Sequence, residues 1–339
     1  MLKYNIHGNT DMGKKRTNNE DAFIAQTLWD KRHLLAVAID GVGGYEGGEV
    51  AAEIAQTTIV DYLQNYSNDE QFDLLIQAVI RANNAIFEER KVRENCEQMS
   101  CVLTAALFDL DKGQLHLAHV GDTRLYCCEN HVLTKLSHDH SDVGYQEEIG
   151  VLSEEAAMNH PQRNVVNRVV GVELHKIDDL FFIDSQTFPL VSNAIYLLCT
   201  DGLYDMLTSA EIVSVLEKDI STEEKVQGLI DFANEKGGKD NITVVLIEID
   251  GEIELIQEDE IIENEKDIKI NRKYHSLFLS LFCFILGAIV GWFARDIFFS
   301  CPHSKQGVIP NEERNLQCTP DTLDIINNDT ITIDTITTI

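Results

Sequence analysis

Two apolar segments of the chain each end abruptly at an aspartate that a glycine follows. One is residues 34–39, directly before Asp40, and the other is residues 194–199, which Thr200 joins to Asp201. A short continuous apolar run between turn-forming residues is typical of a strand buried on both faces. A carboxylate so close to a buried strand is costly unless a partner such as a hard cation compensates its charge. We therefore expect the two strands to bring these carboxylates to one edge of a sheet, beside a cation.

The positions of three further aspartates help to decide between a metal site and ordinary turns. A single Asp-Gly pair is most simply a tight turn, because both residues are common in turns. However, Asp21 directly precedes an apolar stretch, Asp122 lies between two alternating strands, and Asp240 lies just before the last strand. Five aspartates at strand ends favour a shared metal-binding role over five unrelated turns.

Charge and cysteine content exclude some classes of function. The chain has 339 residues, enough for one sizeable domain with appendages, and a formal net charge of −30. Such an acidic chain lacks the basic surface that nucleic-acid binding requires. The first residues lack the apolar core of a signal peptide. The cysteines before residue 250 have no C-x-x-C spacing and are expected to be reduced, buried thiols of a cytosolic domain: Cys96, Cys101, Cys127, Cys128 and Cys199.

Some segments alternate apolar and polar residues, and others repeat apolar residues at helical spacing. Together they predict a domain that combines sheets with paired helices. The predicted strands are two between residues 4 and 28, then 33–39, 102–108, 115–120, 124–128, 132–136, 195–199 and 242–249. The predicted helices are 49–66, 69–93, 208–218 and 221–235, and residues 138–170 are predicted to be polar and irregular with short helices. The four strands between 102 and 136 are interpreted as a β-meander. This arrangement indicates α+β layers rather than a doubly wound parallel sheet, and the glycines at 43–48 do not match a dinucleotide-binding fingerprint.

The motifs around these aspartates occur in the order of a known family. They are Arg16 with Glu20-Asp21, Asp40-Gly41-Val-Gly-Gly, Gly121-Asp122-Thr-Arg, Thr200-Asp201-Gly202 and Asp240-Asn241. Over about residues 5–250 the chain resembles the metal-dependent protein serine/threonine phosphatases of the protein phosphatase 2C type, in particular their bacterial branch. The block from Leu136 to about residue 170, which includes His-Pro-Gln-Arg-Asn at 160–164, resembles the mobile flap of the bacterial members together with the segment after the flap. The resemblance implies a β-sandwich flanked by helices, in α-β-β-α layers.

The resemblance also implies two Mn²⁺ or Mg²⁺ ions per catalytic domain. Asp40 would bridge the two ions, the Gly41 carbonyl would help to hold one, and Asp201 and Asp240 would complete the direct protein ligands. Two divalent cations roughly 4 Å apart can activate a water, screen the phosphoryl oxygens and orient both. Ligands that are all oxygen atoms favour Mg²⁺ or Mn²⁺ over zinc.

The remaining site residues take supporting roles by the same resemblance. Glu20 and Asp21 would act mostly through waters on the metals. Asp122, together with Asp201, matches a third and weaker metal site. Arg16 matches the phosphate-binding arginine, whose guanidinium can make a bidentate contact. The alternative for this arginine is a solvated loop charge, but its spacing four residues before the glutamate favours the functional role.

The chain departs from the eukaryotic members of the family at one position. Those members have a histidine after the Asp-Gly pair, proposed as a general acid, whereas this chain has Val42, as bacterial relatives also have an apolar residue there. The group that protonates the leaving oxygen is therefore unassigned. His160 is the nearest candidate by motif, although a structural histidine is the simpler interpretation.

The resulting hypothesis is an enzyme that hydrolyses phosphoserine and phosphothreonine in proteins by a two-metal-activated water. Two alternatives stay open: a catalytically weak pseudophosphatase that binds phosphoproteins, and a membrane-anchored regulatory adaptor. Retention of all five aspartates favours the enzyme. The absence of a C-x5-R signature from the sequence argues against a phosphocysteine route.

The sequence of the C-terminal quarter of the chain predicts a membrane anchor. Residues 1–250 are the predicted catalytic domain, 251–275 an acidic linker, 276–299 a transmembrane helix and 300–339 an extracytoplasmic low-complexity tail. Residues 277–294 carry no charge, close to the roughly 20 residues that span a bilayer, and no second apolar segment comes after them that could bury them as a core helix. Basic residues are more numerous before the helix than after it, which places the catalytic domain in the cytoplasm at the cell membrane.

This arrangement leads us to expect two kinds of partner. Gly287 and Gly291 form a G-x-x-x-G pattern that favours close packing of two spanning helices, although glycine is also common in such helices for other reasons. A homodimer and a monomeric anchor both remain open. By analogy with bacterial relatives, which often oppose a transmembrane serine/threonine kinase, a membrane kinase is the expected partner besides the phosphorylated proteins.

Overall fold

The computed structural model describes residues 3–43, 47–66, 71–94, 96–177, 179 and 181–251. The predicted linker beyond Gly251, the predicted transmembrane helix at 276–299 and the tail at 300–339 lie outside these residues. Within the described ranges, no helix combines the length and the apolarity that crossing a membrane requires.

The described residues form ten strands and seven helices. The strands are β1 (Lys3–Asp11), β2 (Asp21–Leu28), β3 (His33–Val42), β4 (Ser100–Asp109), β5 (Gln114–Val120), β6 (Arg124–Glu129), β7 (Val132–Lys135), β8 (Asp184–Pro189), β9 (Ala194–Cys199) and β10 (Ile242–Asp250). The helices are α1 (Gly47–Asn65), α2 (Gln71–Arg90), α3 (Asp142–Glu148), α4 (Glu154–Met158), α5 (Asp201–Tyr204), α6 (Ser209–Leu216) and α7 (Thr222–Glu235).

The strands form two antiparallel sheets that share one core. The first sheet has the order β1-β10-β9-β6-β7 and the second has the order β2-β3-β4-β5-β8. Their facing side chains pack together in a layer of apolar residues such as Leu34, Ala36, Phe108, Leu117, Tyr196, Leu198 and Val245. The rings of Phe108 and Tyr196, one from each sheet, meet edge to face at 5.1 Å between centroids, a favourable geometry for aromatic pairs.

Helices cover the outer face of each sheet. Helices α1 and α2 pack on the second sheet around a core that includes Ile59, Leu75 and Leu103, whereas α5, α6 and α7 pack on the first sheet around Leu197 and Leu229. Strands β3 and β9 are therefore covered on both faces, which explains the continuous apolar sequences at 34–39 and 194–199. The prediction of a helix-flanked β-sandwich in α-β-β-α layers is confirmed. The five cysteines of the described residues are free and buried, as expected.

The predicted β-meander between residues 102 and 136 is wrong. Strands β4 and β5 pair in the second sheet, but β6 and β7 belong to the first. The chain crosses from one sheet to the other at Gly121, where φ is +111°. A Cβ atom at this glycine would lie 2.2 Å from the Cβ of Val102, so both the backbone conformation and the space require glycine.

Two short elements are absent from the sequence prediction. Strand β8 pairs with β5 at the edge of the second sheet, and its sequence, Asp-Ser-Gln-Thr-Phe-Pro, lacks the apolar alternation that indicates a strand. Helix α5 begins at Asp201 itself, where the sequence predicts only a turn. The four predicted helices and the other strands are present, with ends that differ by a few residues.

Replacing Phe108 by alanine tests the shared core. Phe108 is fully buried between the sheets, so its removal should lower the free energy of unfolding by about 3–5 kcal/mol through lost burial and a residual cavity. Urea unfolding followed by circular dichroism measures this loss. The matched control is Val132→Ala on edge strand β7, where the valine is 60% exposed and a change within about 0.5 kcal/mol is expected. Equal losses in the two variants would contradict this account of the core.

Candidate active site

A cavity of about 260 Å³ lies at the end of the sandwich where both sheets deliver their aspartates. Its lining includes seven of the predicted site residues: Arg16, Glu20, Asp40, Gly41, Asp122, Asp201 and Asp240. The strand register places the end of β3 and the start of β2 at the same end as the end of β9 and the start of β10. The prediction that the two principal carboxylates share one edge of a single sheet is therefore wrong, because each of the two sheets supplies one.

Asp40 lies near the end of β3, directly opposite Asp21 of β2 in the antiparallel register. Burial raises the pKa of Asp40 well above its usual range, and the nearby charges of Asp21 and Asp201 raise it further. Burial likewise raises the pKa of Asp201, with Asp205 and Asp122 adding to the effect. These carboxylates therefore form a cluster of like groups whose charges the protein alone does not balance.

Asp21 does not line the cavity and instead joins the two sheets. Its Oδ2 accepts hydrogen bonds from the Oγ1 of Thr200 at 2.8 Å and the Oγ1 of Thr243 at 2.6 Å. Thr243 in turn shares a 2.7 Å hydrogen bond with the hydroxyl of Thr10 on β1. Burial raises the pKa of Asp21 to about 7, although the two threonine hydrogen bonds act in the opposite direction. This carboxylate anchors β2 of the second sheet to strands of the first.

Arg16 extends from the β1–β2 loop into the cavity and meets acidic partners. Its Nη2 lies 2.7 Å from Oδ2 of Asp240, and its Nη1 lies 3.9 Å from Oε2 of Glu20. The arginine side chain is 45% exposed, so an anion from solvent can reach the guanidinium. Arg16 therefore lies beside two of the carboxylates that the sequence predicts as metal-site residues.

Asn241 fixes the loop that carries Arg16 and Glu20. Its Nδ2 donates to the carbonyls of Met12 and Asn18 at 3.0 and 2.9 Å, while its Oδ1 accepts from the backbone N–H of Glu20 at 2.8 Å. Since the asparagine is buried, these three hydrogen bonds are well shielded from water. The sequence identifies Asn241 only as part of a motif, and the structure explains its position.

Glycines allow the helix α1 to begin directly against the site. A Cβ atom at Gly41 would lie 2.2 Å from the carbonyl oxygen of Gly48. A Cβ atom at Gly48 would lie 2.7 Å from the carbonyl oxygen of Gly41 and 2.8 Å from Oε1 of Glu20. The missing side chains leave the Gly41 carbonyl and the Glu20 carboxylate next to one another at the N-terminus of the helix.

Arg163 is a site residue whose role the sequence does not reveal. Its Nε donates to Oδ1 of Asp205 at 2.7 Å and its Nη1 lies 3.4 Å from Oδ2 of Asp122. The hydroxyl of Tyr204 donates to the backbone carbonyl of Asp122 at 2.7 Å, and its ring lies 4.6 Å from the Arg163 guanidinium and 3.8 Å from that of Arg124. Burial raises the pKa of Asp122 to about 6, although Arg163 opposes this rise.

A sequence signal for this network exists, because Arg163 belongs to the His-Pro-Gln-Arg-Asn motif. Its pairing partner Asp205, however, lies 42 residues away in the chain, beyond the reach of a local pattern. The arginine and the aspartate become neighbours only when the segment after α4 packs against helix α5. Arg163 connects the segment that resembles a mobile flap in sequence with the loop that carries Asp122.

The donor atoms of the cavity fit hard divalent cations. Every predicted ligand offers a carboxylate or carbonyl oxygen, the donor type that Mg²⁺ and Mn²⁺ favour. In the described part of the chain, no group of three or more histidine, cysteine, aspartate or glutamate side chains is arranged so that it could hold a metal ion. The raised pKa values of Asp40 and Asp201 show carboxylates that lack compensating charge, and cations between them would supply it.

The structure does not identify the group that protonates the leaving oxygen. Val42 lines the cavity but has no proton to give. His160 lines a neighbouring groove that shares Arg16, Asp201 and Asp240 with this cavity, but it does not line the cavity itself. Its Nδ1 accepts a hydrogen bond from the backbone N–H of Gln162 at 3.2 Å. This local contact agrees with the structural interpretation of His160.

Comparison with known proteins gives consistent similarities over the described domain. Residues 11–240 match the family model for protein phosphatase 2C. The serine/threonine phosphatase stp of Listeria monocytogenes serotype 4b is 35% identical over 247 residues, which cover 71% of this chain and 94% of that protein. The solved serine/threonine phosphatase of S. agalactiae is 29% identical with a TM-score of 0.63, covering 73% of this chain and 99% of that one.

A further solved structure bears on the metals. The catalytic domain of the serine/threonine protein phosphatase PstP, in complex with two manganese ions, is 26% identical with a TM-score of 0.63. The similarity covers 74% of this chain and the whole of that domain.

Replacing Asn241 by alanine should loosen the β1–β2 loop. The change leaves one backbone N–H and two carbonyls without their partner, so we expect unfolding to become easier by roughly 2–3 kcal/mol. Hydrogen exchange should accelerate in residues 12–20 and stay unchanged in β4. Asn159→Ala is the control, because Asn159 bonds only the carbonyl of Glu155 at an exposed helix end. An unchanged exchange rate in residues 12–20 of the Asn241 variant would contradict the assigned role.

Proposed function

The chain belongs to the protein phosphatase 2C family, and on that premise we propose that the cavity between its two sheets is the active site. The protein is a serine/threonine protein phosphatase, a hydrolase whose substrates are phosphorylated proteins. The observation that carries the site assignment is the convergence of Asp40, Asp122, Asp201 and Asp240, from distant parts of the chain, on one cavity.

We assign two Mn²⁺ or Mg²⁺ ions to this cavity, by analogy with the manganese complex of the PstP domain. Their protein ligands are Asp40, the carbonyl of Gly41, Asp201 and Asp240. A third, weaker ion is assigned to Asp122 together with Asp201. When bound, such ions supply an activated water and neutralise charge on the phosphoryl oxygens.

The side chains outside the ligand set position the site and the substrate. Arg16 is assigned to the phosphate, because its guanidinium is accessible from solvent and reaches the cavity. Its 2.7 Å contact with Asp240 orients the guanidinium before substrate arrives. Glu20 is assigned a supporting role beside the Gly41 carbonyl. Asp21, which is bonded to two threonines, is assigned to holding β2 and Asp40 in place.

The two alternatives from the sequence predict different behaviour. A pseudophosphatase would bind phosphoproteins without releasing phosphate, and an adaptor would keep its role when the metal ligands are removed. The raised pKa values of Asp40, Asp122 and Asp201 support the enzyme. Clustered carboxylates with such shifts are typical of catalytic sites, whereas a phosphoprotein-binding surface or an adaptor has no need of their mutual repulsion.

Asparagine substitutions separate the proposed metal sites. Asp40→Asn and Asp201→Asn should each lower Mn²⁺-dependent hydrolysis of a phosphothreonine peptide by roughly 100-fold or more, because each removes a direct ligand. Asp122→Asn should cost less, about tenfold, because Asp201 is shared between sites and Asp122 is not. Released phosphate is the measurement, and chelation of the metal should abolish it in every variant. Asp219→Asn, at an exposed position on the loop before α7, is the control and should match the unsubstituted protein.

The opposite ranking of the Asp201 and Asp122 variants would contradict the assignment of the weaker site. Full activity of Asp40→Asn would contradict the metal mechanism as a whole.

We further propose that the enzyme is held at the cell membrane with its catalytic domain, residues 1–250, in the cytoplasm. The support is the uncharged segment at 277–294 and the basic bias before it. In this arrangement 251–275 is an acidic linker, 276–299 the spanning helix and 300–339 the outer tail. This placement favours two kinds of partner. One is a second copy of the chain, bound through Gly287 and Gly291, and the other is a membrane serine/threonine kinase whose action the phosphatase opposes.

Fractionation of cells tests the anchor. The full chain should remain with membranes after an alkaline carbonate wash, whereas a chain that ends at Asp250 should be released and keep its phosphatase activity, because every assigned site residue precedes that point. Release of the full chain would contradict the anchor.

In the same cells, Gly287→Ile with Gly291→Ile should reduce cross-linked dimer without changing membrane retention, and an unchanged dimer fraction would exclude the glycine pattern as the contact.

A further inference from the structure

Three consecutive cations occur in one loop of a strongly acidic protein, and the third of them, Arg16, lines the proposed active site. Lys14, Lys15 and Arg16 form the longest run of basic residues in a sequence with a net charge of −30. They lie in the loop between β1 and β2, and all three are exposed. Arg16 is assigned to the phosphate itself, so the two lysines before it are adjacent to the place where substrate must enter.

A fourth cation joins them from another part of the chain. The backbone N–H of Lys14 donates to the carbonyl of Gly238 at 2.8 Å, and a Cβ atom at Gly13 would lie 2.1 Å from the carbonyl oxygen of Asp240. The β1–β2 loop and the loop before β10 are therefore in direct backbone contact. This contact brings the exposed Lys239 beside the two lysines. We call Lys14, Lys15 and Lys239 the basic rim.

One residue of the basic rim, Lys239, lines a groove that continues from the catalytic cavity, and the other two directly precede Arg16, which also lines it. The groove has a volume of about 490 Å³ and shares Arg16, Asp201 and Asp240 with the catalytic cavity. A chain segment whose phosphate lies on Arg16 therefore has a path along this groove.

The acidic side chains of the groove have closer cationic partners than the rim lysines, although the charge of Lys239 also opposes the rise that burial causes in the pKa of Asp205. Asp205 pairs with Arg163 at 2.7 Å and Asp240 pairs with Arg16 at 2.7 Å, while Asp201 belongs to the metal site. The ion pairs found among the described residues include none with a rim lysine.

We propose that the basic rim selects phosphorylated segments that carry aspartate or glutamate close to the phosphoserine or phosphothreonine. This inference rests on the proposed active site and adds its substrate class. Charges interact over about 8–10 Å at physiological salt, and an extended chain advances roughly 3.3 Å per residue. The rim therefore reads acidic residues within about three positions of the phosphorylated one.

The test compares three phosphothreonine peptides that differ only in flanking residues, which are glutamate, glutamine or lysine. The full-length protein in detergent, loaded with Mn²⁺, is assayed for kcat/KM on each. We expect the glutamate peptide to exceed the glutamine peptide by about fivefold at low salt, since each exposed charge pair contributes modestly. The ratio should fall toward one as salt is raised.

Substitutions assign the preference to the rim. Lys239→Gln should reduce the glutamate-to-glutamine ratio about twofold, and the triple change Lys14→Gln, Lys15→Gln and Lys239→Gln should bring it to about one. Lys218→Gln is the matched control, an exposed lysine before α7, whereas the rim lies beyond the other end of this 14-residue helix, roughly 20 Å away. The triple change Lys14→Glu, Lys15→Glu and Lys239→Glu should reverse the order and favour the lysine peptide, a gain that partial unfolding cannot produce.

The outcomes separate this inference from the function beneath it. Hydrolysis of all three peptides with equal kcat/KM would overturn the inference and leave the phosphatase assignment standing. Failure of the folded, metal-loaded protein to hydrolyse any peptide would instead count against the proposed active site. A ratio unaffected by the triple change would overturn the assignment of the preference to the rim and place it elsewhere on the surface.

A membrane surface is the other anionic partner that such lysines could meet. Amine labelling of the rim lysines, in vesicles of phosphatidylcholine with and without phosphatidylglycerol, distinguishes it. Protection by the glutamate peptide and not by the anionic lipid is expected. Protection by phosphatidylglycerol alone would overturn the proposal and assign the rim to the bilayer.

Discussion

Repulsion among carboxylates at one end of the sandwich is the constraint on which the rest of this structure depends. Burial and mutual charge raise the pKa values of Asp40 and Asp201 well above their usual range. Such groups stay in place only if the surrounding fold holds them more strongly than they repel one another. The two sheets and their helices provide this, because three apolar cores enclose the strands that carry the carboxylates. The same lack of compensation supports the proposed binding of divalent cations in this cavity.

The active site depends on contact between the sheets because neither sheet contains it alone. Asp40 comes from the second sheet, whereas Asp201 follows a strand of the first. Asp21 connects them through its hydrogen bonds to Thr200 and Thr243. A change in how the sheets pack would therefore alter the distance between the two halves of the metal site. This coupling explains why short polar side chains occupy buried positions at this end of an otherwise apolar core.

Near the entrance of the proposed active site, cations are concentrated although the protein as a whole is strongly acidic. A net charge of −30 repels a phosphorylated, acidic substrate at long range, but salt screens that repulsion beyond about 10 Å. Close to the cavity, the proposed substrate preference depends on the local positive potential of Arg16 and the basic rim. A strongly acidic surface limits nonspecific contacts, and on our proposal a few cations near the cavity attract the substrate despite the overall charge.

The amino-acid sequence by itself determined the two buried strands and the four long helices, and it is the source of the proposed site roles of the five aspartates and Arg16. These features are local, because a run of apolar residues or a helical period depends on neighbours in the chain. The tertiary structure alone decided that β5 and β6 lie in different sheets, that Asp21 bonds two threonines, and that Arg163 pairs with Asp205. Those contacts join residues up to more than 200 positions apart, and their energies depend on packing and burial that no local pattern carries.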